Sequence, residues 1–468
     1  MATLLDSEDS MTPTTARAAP WPLQSGVSGI TWPAVPTAPA ATVLAVLHQL
    51  EQSQWLPSAD LLALQLRQLE GLLRHAFATV PWYRKHWRDL YDPKAPLTYE
   101  RFARLPRLSR RTLQDGFNEL SSTNSPVAHG PTHTRGTSGS TGAPVRFLAT
   151  QLSGLYWNAM TLRDHLWHRR DLRAKLAVIR RETDHFKSAN WGAATAGVVN
   201  TGPSVGNSVR SDAATLLAWL QREQPGYLLT YPSLVVELAR LSLVRKVRLP
   251  GLLEVRTIAE SLSDEVRALC HAAWGVPLVD VYSASEAGYM AVQCPTATHY
   301  HVQAEGVLLE ILDDQGTPCA PGQIGKIIVT PLHNFAMPLV RYDIGDYAEV
   351  GETCACGRGL PVLRRILGRV RNTLVTIDGQ RYWPVFGTQA LMDSMPVQQY
   401  QFVQTTPRQI EARLVVATPL SVDQETQFRQ RVMSQLPAGM DVQIVYRDHI
   451  GRSASGKFEE FISEVSVG

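Results

Sequence analysis

The chain has 468 residues, of which 44% are hydrophobic and 19% are charged, and its formal net charge is +3. This length predicts at least two domains with a large core, while the charge gives no indication of a nucleic-acid-binding surface. There is no apolar run long enough to span a membrane, no secretory signal pattern, and five cysteines do not indicate a disulfide framework. We therefore expect a cytoplasmic protein that binds neither nucleic acid nor membrane.

The first part of the chain changes character near its fortieth residue. Residues 1–40 are rich in Ala, Pro, Thr and Ser, which predicts a flexible or extended N-terminal arm. Helical apolar spacing follows from about Thr42 to Tyr83 and is broken at Pro81. Helical patterns then alternate with the short β-rich runs LAVIR, GYLLTYP, VRTIAES and LVDVYSAS, which indicates an α/β architecture.

The second part of the chain is richer in strands. From about His301 strand patterns crowd together with turn residues between them, which favours a mainly antiparallel β region. Near Arg371 the pattern restarts as strand, strand, helix and strand, which predicts a small separate domain. The expected fold is therefore α/β, with a large N-terminal domain of several subdomains (residues 41–370) and a small mobile α+β C-terminal domain (residues 371–468).

A loop rich in glycine and hydroxyl residues precedes an apolar segment at residues 134–147, TRGTSGSTGAPVRF. Glycines let backbone N–H groups approach an anion closely, and hydroxyl groups can solvate phosphate oxygens. The loop lacks the Gly-Lys-Ser/Thr ending of a Walker A motif. The segment GRSASGKF near the C-terminus fits G-x-x-x-x-G-K, but Phe458 stands where that motif needs Ser or Thr. A polar surface loop has the same composition, so the loop alone leaves both explanations open.

Three further segments favour a nucleotide site. VYSASEAG places the carboxylate of Glu286 among small hydroxyl residues after a β-rich run, and RYDIGDYAEV places Asp346 in a Gly-Asp turn. GRVRNTLVTIDGQRYWP, residues 368–384, is a basic, hinge-like stretch before the last domain. A phosphate loop, a carboxylate for a metal ion, a carboxylate for ribose and a mobile lysine would together handle a nucleoside triphosphate.

With these motifs in this order, the chain from about Leu73 to Phe461 resembles the adenylate-forming superfamily of acyl-CoA synthetases, adenylation domains and luciferases. Within that superfamily it resembles the phenylacetate–CoA ligase family, and the branch of it found in capsular-polysaccharide loci. The resemblance implies ATP-dependent activation of a carboxylic acid, expected to be aromatic, to an acyl-AMP, and then transfer to CoA as a thioester. A carrier protein, an amine or a hydroxyl stays open as the acceptor. We expect a monomer or a homodimer.

The resemblance also implies roles for individual residues. The loop would bind the phosphates of ATP through Thr137, Ser138, Gly139, Ser140, Thr141 and Gly142. The further candidates for ATP binding are Ala259, Glu260, Asp280, Tyr282, Ser283, Ser285, Asp346 and Arg369. Of these, Tyr282 would stack on adenine and Asp346 would accept both ribose hydroxyls, while Glu286 would hold Mg²⁺.

The catalytic candidates are Lys457, Glu286 and Arg369. Lys457 would lie between the substrate carboxylate and the α-phosphate, two anions that repel each other until a cation separates them. Ordinary explanations exist for such residues, since a lysine near a C-terminus is usually solvated and a Gly-Asp pair usually caps a turn. A non-catalytic nucleotide-binding protein is thus a further hypothesis, against which the joint presence of the motif residues argues.

Two positions depart from the family pattern. Val145 stands after the loop, where the superfamily often has a lysine, and Arg371 occupies the hinge position that is usually aspartate. Candidates for the acid pocket are Trp157, Tyr231 and Tyr289.

Cysteine and histidine spacing indicates a metal site. Cys294, Cys354 and Cys356 with His301 could bind a structural Zn²⁺, and His299 is the alternative fourth ligand. Reduced cysteines with a packing role are the competing explanation, whereas a disulfide is disfavoured in a cytosolic protein. The complete set of expected cofactors is therefore ATP, Mg²⁺, CoA and Zn²⁺.

Overall fold

The computed structural model describes residues 22–137, 145–181, 185–369, 373–379, 381–382, 395–452 and 458–465. Its helices are α1 Ala38–Ser53, α2 Ser58–Thr79, α3 Pro81–His86, α4 Tyr99–Ala103, α5 Arg110–Asp115, α6 Phe117–Leu120, α7 Gln151–Trp167, α8 Ala213–Glu223, α9 Pro232–Arg245, α10 Asp264–Trp274 and α11 Val422–Met433. No helix in these described ranges has the length and apolar character needed to cross a membrane.

The strands fall into a long series within the first 382 residues and a short series near the C-terminus. They are β1 Thr132–Gly136, β2 Arg146–Thr150, β3 Leu176–Arg180, β4 Phe186–Ser188, β5 Ser204–Ser208, β6 Tyr227–Thr230, β7 Glu254–Ile258, β8 Leu278–Ala284, β9 Gly288–Gln293, β10 Tyr300–Val302, β11 Val307–Leu312, β12 Ile324–Pro331, β13 Tyr342–Val350, β14 Val362–Arg369, β15 Leu374–Val375, β16 Arg381–Tyr382, β17 Val397–Thr406, β18 Gln409–Val416, β19 Asp441–Tyr446 and β20 Phe461–Ser463.

The helical spacing predicted from about Thr42 to Tyr83 corresponds to three helices, α1, α2 and α3. Pro57 directly precedes α2, and Pro81 is the first residue of α3. Proline fixes a backbone angle suited to the first helical turn and has no N–H to lose there, so each proline starts a new helix. Residues 22–37, which precede α1, contact the large domain, because the N–H of Gln24 donates to the carbonyl of Val198 over 2.8 Å. Trp32, by contrast, is 88% exposed.

One large sheet forms the centre of the large domain. Among the described residues, twelve strands form it in the order β11-β12-β13-β14-β10-β9-β8-β7-β6-β3-β5-β4. The run β5-β3-β6-β7-β8 is parallel, and its strands include all four β-rich runs that the sequence predicts. From β8 to β11 every pairing is antiparallel, which confirms the predicted change of strand direction in the later part of the chain.

The two faces of the sheet's parallel half are covered by different helices. Helices α8, α9 and α10 pack on one face through a core of apolar side chains such as Leu216, Leu238 and Leu269. Helices α1 and α7 supply a second core that includes Leu47, Met160 and residues of β8 and β9. Cover on both faces is what a parallel sheet requires, because its strands are apolar on both sides.

The C-terminal unit has its own sheet and its own core. Its strands are in the order β19-β18-β17-β20, and α11 packs on them through Phe428 and Val432. Helix α11 begins with a capping box, in which Ser421 and Gln424 satisfy each other's backbone N–H groups. The strand, strand, helix and strand pattern predicted for this region is confirmed.

A fully buried arginine ties α7 to the end of α1. The Nη1 atom of Arg163 donates to Glu305 and Gln303, each over 3.0 Å, and Nη2 donates to Glu305 over 2.8 Å and to the carbonyl of Leu50. Ser53 donates to the same carboxylate over 2.6 Å. Burial alone raises the pKa of Glu305, but the paired guanidinium outweighs it and holds the pKa below its usual range. The ionised pair therefore contributes stability above pH 4.5, which is lost as the pH falls through the lower folded-state pKa.

We predict that Arg163→Ala lowers the free energy of unfolding by about 3–5 kcal/mol at neutral pH, because it leaves the Glu305 carboxylate buried without a counter-charge. Urea and thermal unfolding measure the loss. Arg111→Ala is the matched control, since Arg111 is 90% exposed in its side chain and should change stability by no more than about 0.5 kcal/mol. Adding Glu305→Gln to the Arg163→Ala variant should recover part of the loss. Equal stability of the two single variants would contradict the prediction.

Candidate active site

The predicted site residues gather where the parallel half of the sheet turns into the antiparallel half. Strands β7 and β8 end side by side, and the chain reverses through residues 285–287 into β9. Ligands in α/β proteins bind beyond the carboxyl ends of parallel strands, because the loops that follow neighbouring strands meet there. Ala259, Glu260, Ser283 and Ser285 lie in this region, and the side chain of Ser285 is exposed.

Ala259 has a backbone conformation that is rare for a residue with a side chain. Its φ is 71°, in the left-handed region that glycine prefers. Such strain costs on the order of 1–3 kcal/mol and persists only where the surrounding structure enforces it, often at functional sites. The observation fits the prediction that this segment lines a binding pocket.

Tyr282, Asp346 and Arg369 form a contiguous polar group. The hydroxyl of Tyr282 donates to Oδ2 of Asp346 over 2.8 Å, and Nε of Arg369 lies 3.5 Å from Oδ1. Asp346 on β13 and Arg369 on β14 are direct partners in the strand register, which explains why residues 23 positions apart in sequence face each other. Burial and the nearby carboxylate raise the pKa of Tyr282 well above its usual range, so the phenol stays protonated and keeps donating.

Glu286 is buried beside this group. It is 7% exposed, and burial raises the pKa of its carboxyl group. The nearby charge of Asp346 acts in the same direction, whereas the guanidinium groups of Arg110 and Arg369 favour ionisation. A carboxylate in this position is well suited to a cation, because binding one would offset the cost of burying its charge.

Arg110 is a site residue that the sequence reasoning did not identify. Its charge acts on both Glu286 and Tyr342, and its Nε and Nη1 atoms are buried without a hydrogen-bond partner in the described part of the chain. The residue follows Ser109, whose side chain caps α5. No signal in the sequence marks it, because a capping serine followed by arginine is an ordinary helix start.

The other predicted ATP-binding residues differ in what the structure says of them. Ser138, Gly139, Ser140, Thr141, Gly142 and Lys457, together with the hinge residue Arg371, lie outside the described residues. Thr137 closes the base of the loop, since its N–H donates to the carbonyl of Val145 over 2.9 Å and its hydroxyl accepts from the Val145 N–H over 3.1 Å. Val145 is fully buried, which suits an apolar residue better than a lysine.

Asp280 is deeper in the sheet than the other site candidates. It is 5% exposed, and its two oxygens accept hydrogen bonds from Thr257 over 2.7 Å and from Tyr300 over 2.9 Å. The carboxylate is thus fully engaged by protein hydroxyl groups in this structure. Its role as a cofactor contact stays a prediction.

Two of the three candidates for the acid pocket lie together. Trp157 on α7 packs edge-on against Tyr289 on β9, with 4.9 Å between ring centroids. The Tyr289 hydroxyl accepts from Arg256 over 3.1 Å. Tyr231 belongs instead to the core on the opposite face of the sheet.

The predicted metal ligands form a compact cluster. Single ligand atoms of Cys294, His299, His301 and Cys354 all lie within 4.8 Å of one another, and the two sulfurs are 3.8 Å apart. Cys356 is adjacent, with its sulfur 3.4 Å from Nε2 of His301. The mutual group therefore differs by one member from the predicted set, because it includes the alternative ligand His299 in place of Cys356.

The cysteine-rich turn is fastened to the N-terminal helices. The guanidinium of Arg358 lies between two indole rings, 4.8 Å from the centroid of Trp55 and 4.3 Å from that of Trp167. Its Nε donates to the side chain of Gln54 over 2.8 Å. The turn that carries Cys354 and Cys356 is therefore packed against the segment between α1 and α2.

The sequence is similar to a known enzyme family and to a curated ligase. Residues 136–336 match the family model described as AMP-binding enzyme. A phenylacetate–coenzyme A ligase from Thermus thermophilus is 30% identical over 171 residues, which are 34% of this chain and 38% of that relative. The matched stretch thus spans well under half of the curated relative.

Solved structures give the same fold over most of the chain. A 2-hydroxyisobutyryl-CoA ligase in the postadenylation state, in complex with an acyl-AMP, has a TM-score of 0.72 and 20% identity, covering 88% of this chain and 92% of that one. The same ligase in the thioesterification state, with an acyl-AMP and CoA, has a TM-score of 0.58 and 20% identity over 88% and 91%. The α/β fold predicted from the sequence is therefore confirmed, and it is shared with these solved structures.

Proposed function

We propose that the protein is an AMP-forming acid–CoA ligase of the phenylacetate–CoA ligase type. The observation that carries this proposal is the convergence of Tyr282, Asp346, Arg369 and Glu286 at one edge of the sheet. Tyr282 and Glu286 belong to the stretch that matches the AMP-binding enzyme family model. The names of the similar proteins, a phenylacetate–CoA ligase and a ligase crystallised with acyl-AMP and CoA, support the same reaction class.

The proposed reaction has two half-reactions. An oxygen of the substrate carboxylate attacks the α-phosphorus of ATP, the bond to the β-phosphate breaks, and pyrophosphate leaves. The sulfur of CoA then attacks the acyl carbonyl, AMP leaves with the bonding electrons, and the thiol proton passes to solvent. Residues 371–468 would change position relative to residues 41–370 between the two steps.

The described residues have distinct roles in this scheme. Asp346 would accept the ribose hydroxyls, and Tyr282 would stack on adenine while its hydroxyl fixes the carboxylate. Glu286 would hold Mg²⁺, which when bound offsets the charge of the phosphates. Arg369 would contact ribose or phosphate from the end of β14, and Lys457 would separate the two reacting anions.

The acid that best suits the described contacts is aromatic. The rings of Trp157 and Tyr289 are in contact, and Tyr289 pairs with Ser283 at the strand end that carries the nucleotide candidates. Offset and edge-on ring contacts favour an aromatic ligand by about 0.5–1.5 kcal/mol beyond its buried area. We therefore propose an aryl or arylalkyl carboxylic acid as the substrate class.

Acid-dependent exchange of pyrophosphate into ATP tests the proposed function, and we predict that Lys457→Ala reduces it by about 100- to 1000-fold because one preorganised electrostatic contact is lost. ATP binding, measured by calorimetry, should change little. The wild-type enzyme is assayed with a panel of aryl and aliphatic acids, followed by CoA, amine and carrier-protein acceptors. If no acid supports exchange in the wild type, the ligase proposal fails. Exchange within tenfold of wild type would exclude Lys457 from the reaction.

We predict that Asp346→Asn raises the KM for ATP by about 10-fold or more, since charge-assisted hydrogen bonds to ribose contribute roughly 1.5–3 kcal/mol each. The KM for the acid should change much less. Tyr282→Phe is the matched control, because it keeps the ring for stacking and removes only the hydroxyl that donates to Asp346. Initial-rate kinetics with both substrates varied give the two constants, and an unchanged KM for ATP in Asp346→Asn would contradict the ribose assignment.

We also propose a structural Zn²⁺ held by Cys294, His301 and Cys354, with His299 or Cys356 as the fourth ligand. The donor set suits zinc, because thiolate and imidazole complete its preferred tetrahedron. The Nδ1 atom of His301 and the Nε2 atom of His299 are buried without a hydrogen-bond partner in the described chain, as expected of atoms available to a ligand. Four protein ligands leave no open position, so the ion would support folding rather than chemistry.

Elemental analysis of metal-replete protein should find about one zinc per chain, and chelation should lower the melting temperature before it affects exchange activity. Cys294→Ser with Cys354→Ser should remove the ion. Cys319→Ser is the control, because Cys319 lies outside the cluster. Comparing zinc content in His299→Ala and Cys356→Ser identifies the fourth ligand. Well under one zinc per chain in the wild type would refute the site.

A further inference from the structure

The C-terminal unit (residues 371–468) contacts the large unit (residues 41–370) through Arg452 and Phe458, which flank residues 453–457. On one side the backbone N–H of Phe458 donates to Oε1 of Glu260 over 2.8 Å. On the other side Arg452 donates to the hydroxyl of Ser233 and to Oε1 of Glu237, each over 2.6 Å. Arg452 also lies 3.9 Å from the Glu260 carboxylate.

Glu260 is the centre of this contact. Its second oxygen accepts from the N–H of Ser233 over 2.9 Å, so one carboxylate binds the first turn of α9 and the C-terminal unit together. The side chain of Tyr231, the N-cap residue of α9, makes no capping hydrogen bond. The Glu260 carboxylate takes this place, and a negative charge at a helix N-terminus is electrostatically favoured. The Glu260 side chain is 6% exposed, so its hydrogen bonds are made largely out of water.

The charges across the contact are complementary. The single cation of Arg452, 17% exposed in its side chain, faces two carboxylates on the large unit, Glu237 and Glu260. A cation–π contact also joins the two units, with the guanidinium of Arg240 on α9 5.8 Å from the ring centroid of Tyr400 on β17. The surfaces therefore fit as a polar, charge-matched interface of the kind that can separate and re-form, unlike an apolar core.

The location of Glu260 connects this interface to the site. It follows Ala259, the strained residue at the end of β7, in the segment predicted to line the adenine pocket. The overall arrangement also resembles the ligase structure in the postadenylation state more than the one in the thioesterification state, with TM-scores of 0.72 and 0.58. Both observations associate the contact with the first half-reaction.

We infer that Glu260 and Arg452 are positioning residues of the first half-reaction, which hold the C-terminal unit against α9 while the acid is adenylated. This inference rests on the proposed function. Neither side chain need touch a substrate for the effect. The proposed movement of the C-terminal unit between the two steps would break these contacts, so their loss should weaken adenylation and spare the step that follows.

Hydrogen exchange of the full-length chain without any ligand tests the contact itself. Glu260→Gln keeps the size of the side chain but can no longer accept from both the Phe458 and Ser233 N–H groups, and Arg452→Ala removes the cation. Both variants should exchange faster than wild type in peptides covering residues 232–238 and 458–465. Arg429→Ala is the matched control, because Arg429 pairs with Glu425 on its own helix. Wild-type protection in both variants would overturn the inference.

Separate assays of the half-reactions test the role. Adenylation is followed by pyrophosphate exchange with an acid that the wild type accepts, and thioester formation is started from the synthetic adenylate of that acid and CoA. Glu260→Gln and Arg452→Ala should lose adenylation by about 10- to 100-fold, the range expected for charge-assisted contacts. Arg452→Ala carries the comparison of the two half-reactions, because Arg452 is not a candidate for nucleotide binding, and its thioester formation should stay within twofold of wild type. Arg452→Lys, which keeps the charge but not the planar fork, should recover part of the loss.

The outcomes separate this inference from the proposed function. Equal losses in both half-reactions would overturn the positioning role and indicate a general structural one. If the wild type activates no acid, the proposed function fails and the positioning role fails with it, while the exchange experiment still reports on the contact.

Discussion

The reversal of strand direction between β8 and β9 is the constraint on which the rest of the site depends. Up to β8 the central strands run parallel, and their following loops meet at one edge. At β9 the direction reverses, and the register shifts between Tyr282 and Ser283. This irregularity lies where the chain must direct both Tyr282 toward β13 and Glu286 into the buried space beside it. A continuous parallel sheet would have no hairpin at this place to carry a carboxylate.

The charges at this edge balance only as a group. Glu286 and Asp346 are two carboxyl groups in a largely buried space, and the charge of Asp346 raises the pKa of Glu286 further than burial alone. Arg369 and Arg110 supply the opposing charge, one from a strand and one from the start of a short helix. Anionic phosphates would add further negative charge to this site, so additional cations would be required, and the proposed roles of Mg²⁺ and Lys457 would supply them.

The sequence predicted the elements and the polar site residues more successfully than their contacts. Period and turn residues were enough to locate the parallel strands, because buried strands are short apolar runs whatever surrounds them. The residues Tyr282, Asp346 and Arg369 became candidates through the resemblance to the adenylate-forming family, and the structure brings their side chains together. Arg110 was missed because its importance depends on α5 contacting β13, more than 220 residues away in the chain, and on its charge acting on Glu286. The break predicted at Pro81 is the start of α3, since a proline that interrupts a pattern can begin the next helix.

The contacts of Arg358 with two tryptophans connect the cysteine cluster to a fluorescence signal. Trp55 lies in the segment between α1 and α2 and Trp167 is the last residue of α7, yet both rings contact the guanidinium of Arg358, two residues after Cys356. Indole emission is sensitive to a cation held against the ring face and to the entry of water. The fluorescence of these two tryptophans should therefore respond to loosening of a turn that contains no chromophore of its own, and the cluster carries a built-in spectroscopic reporter.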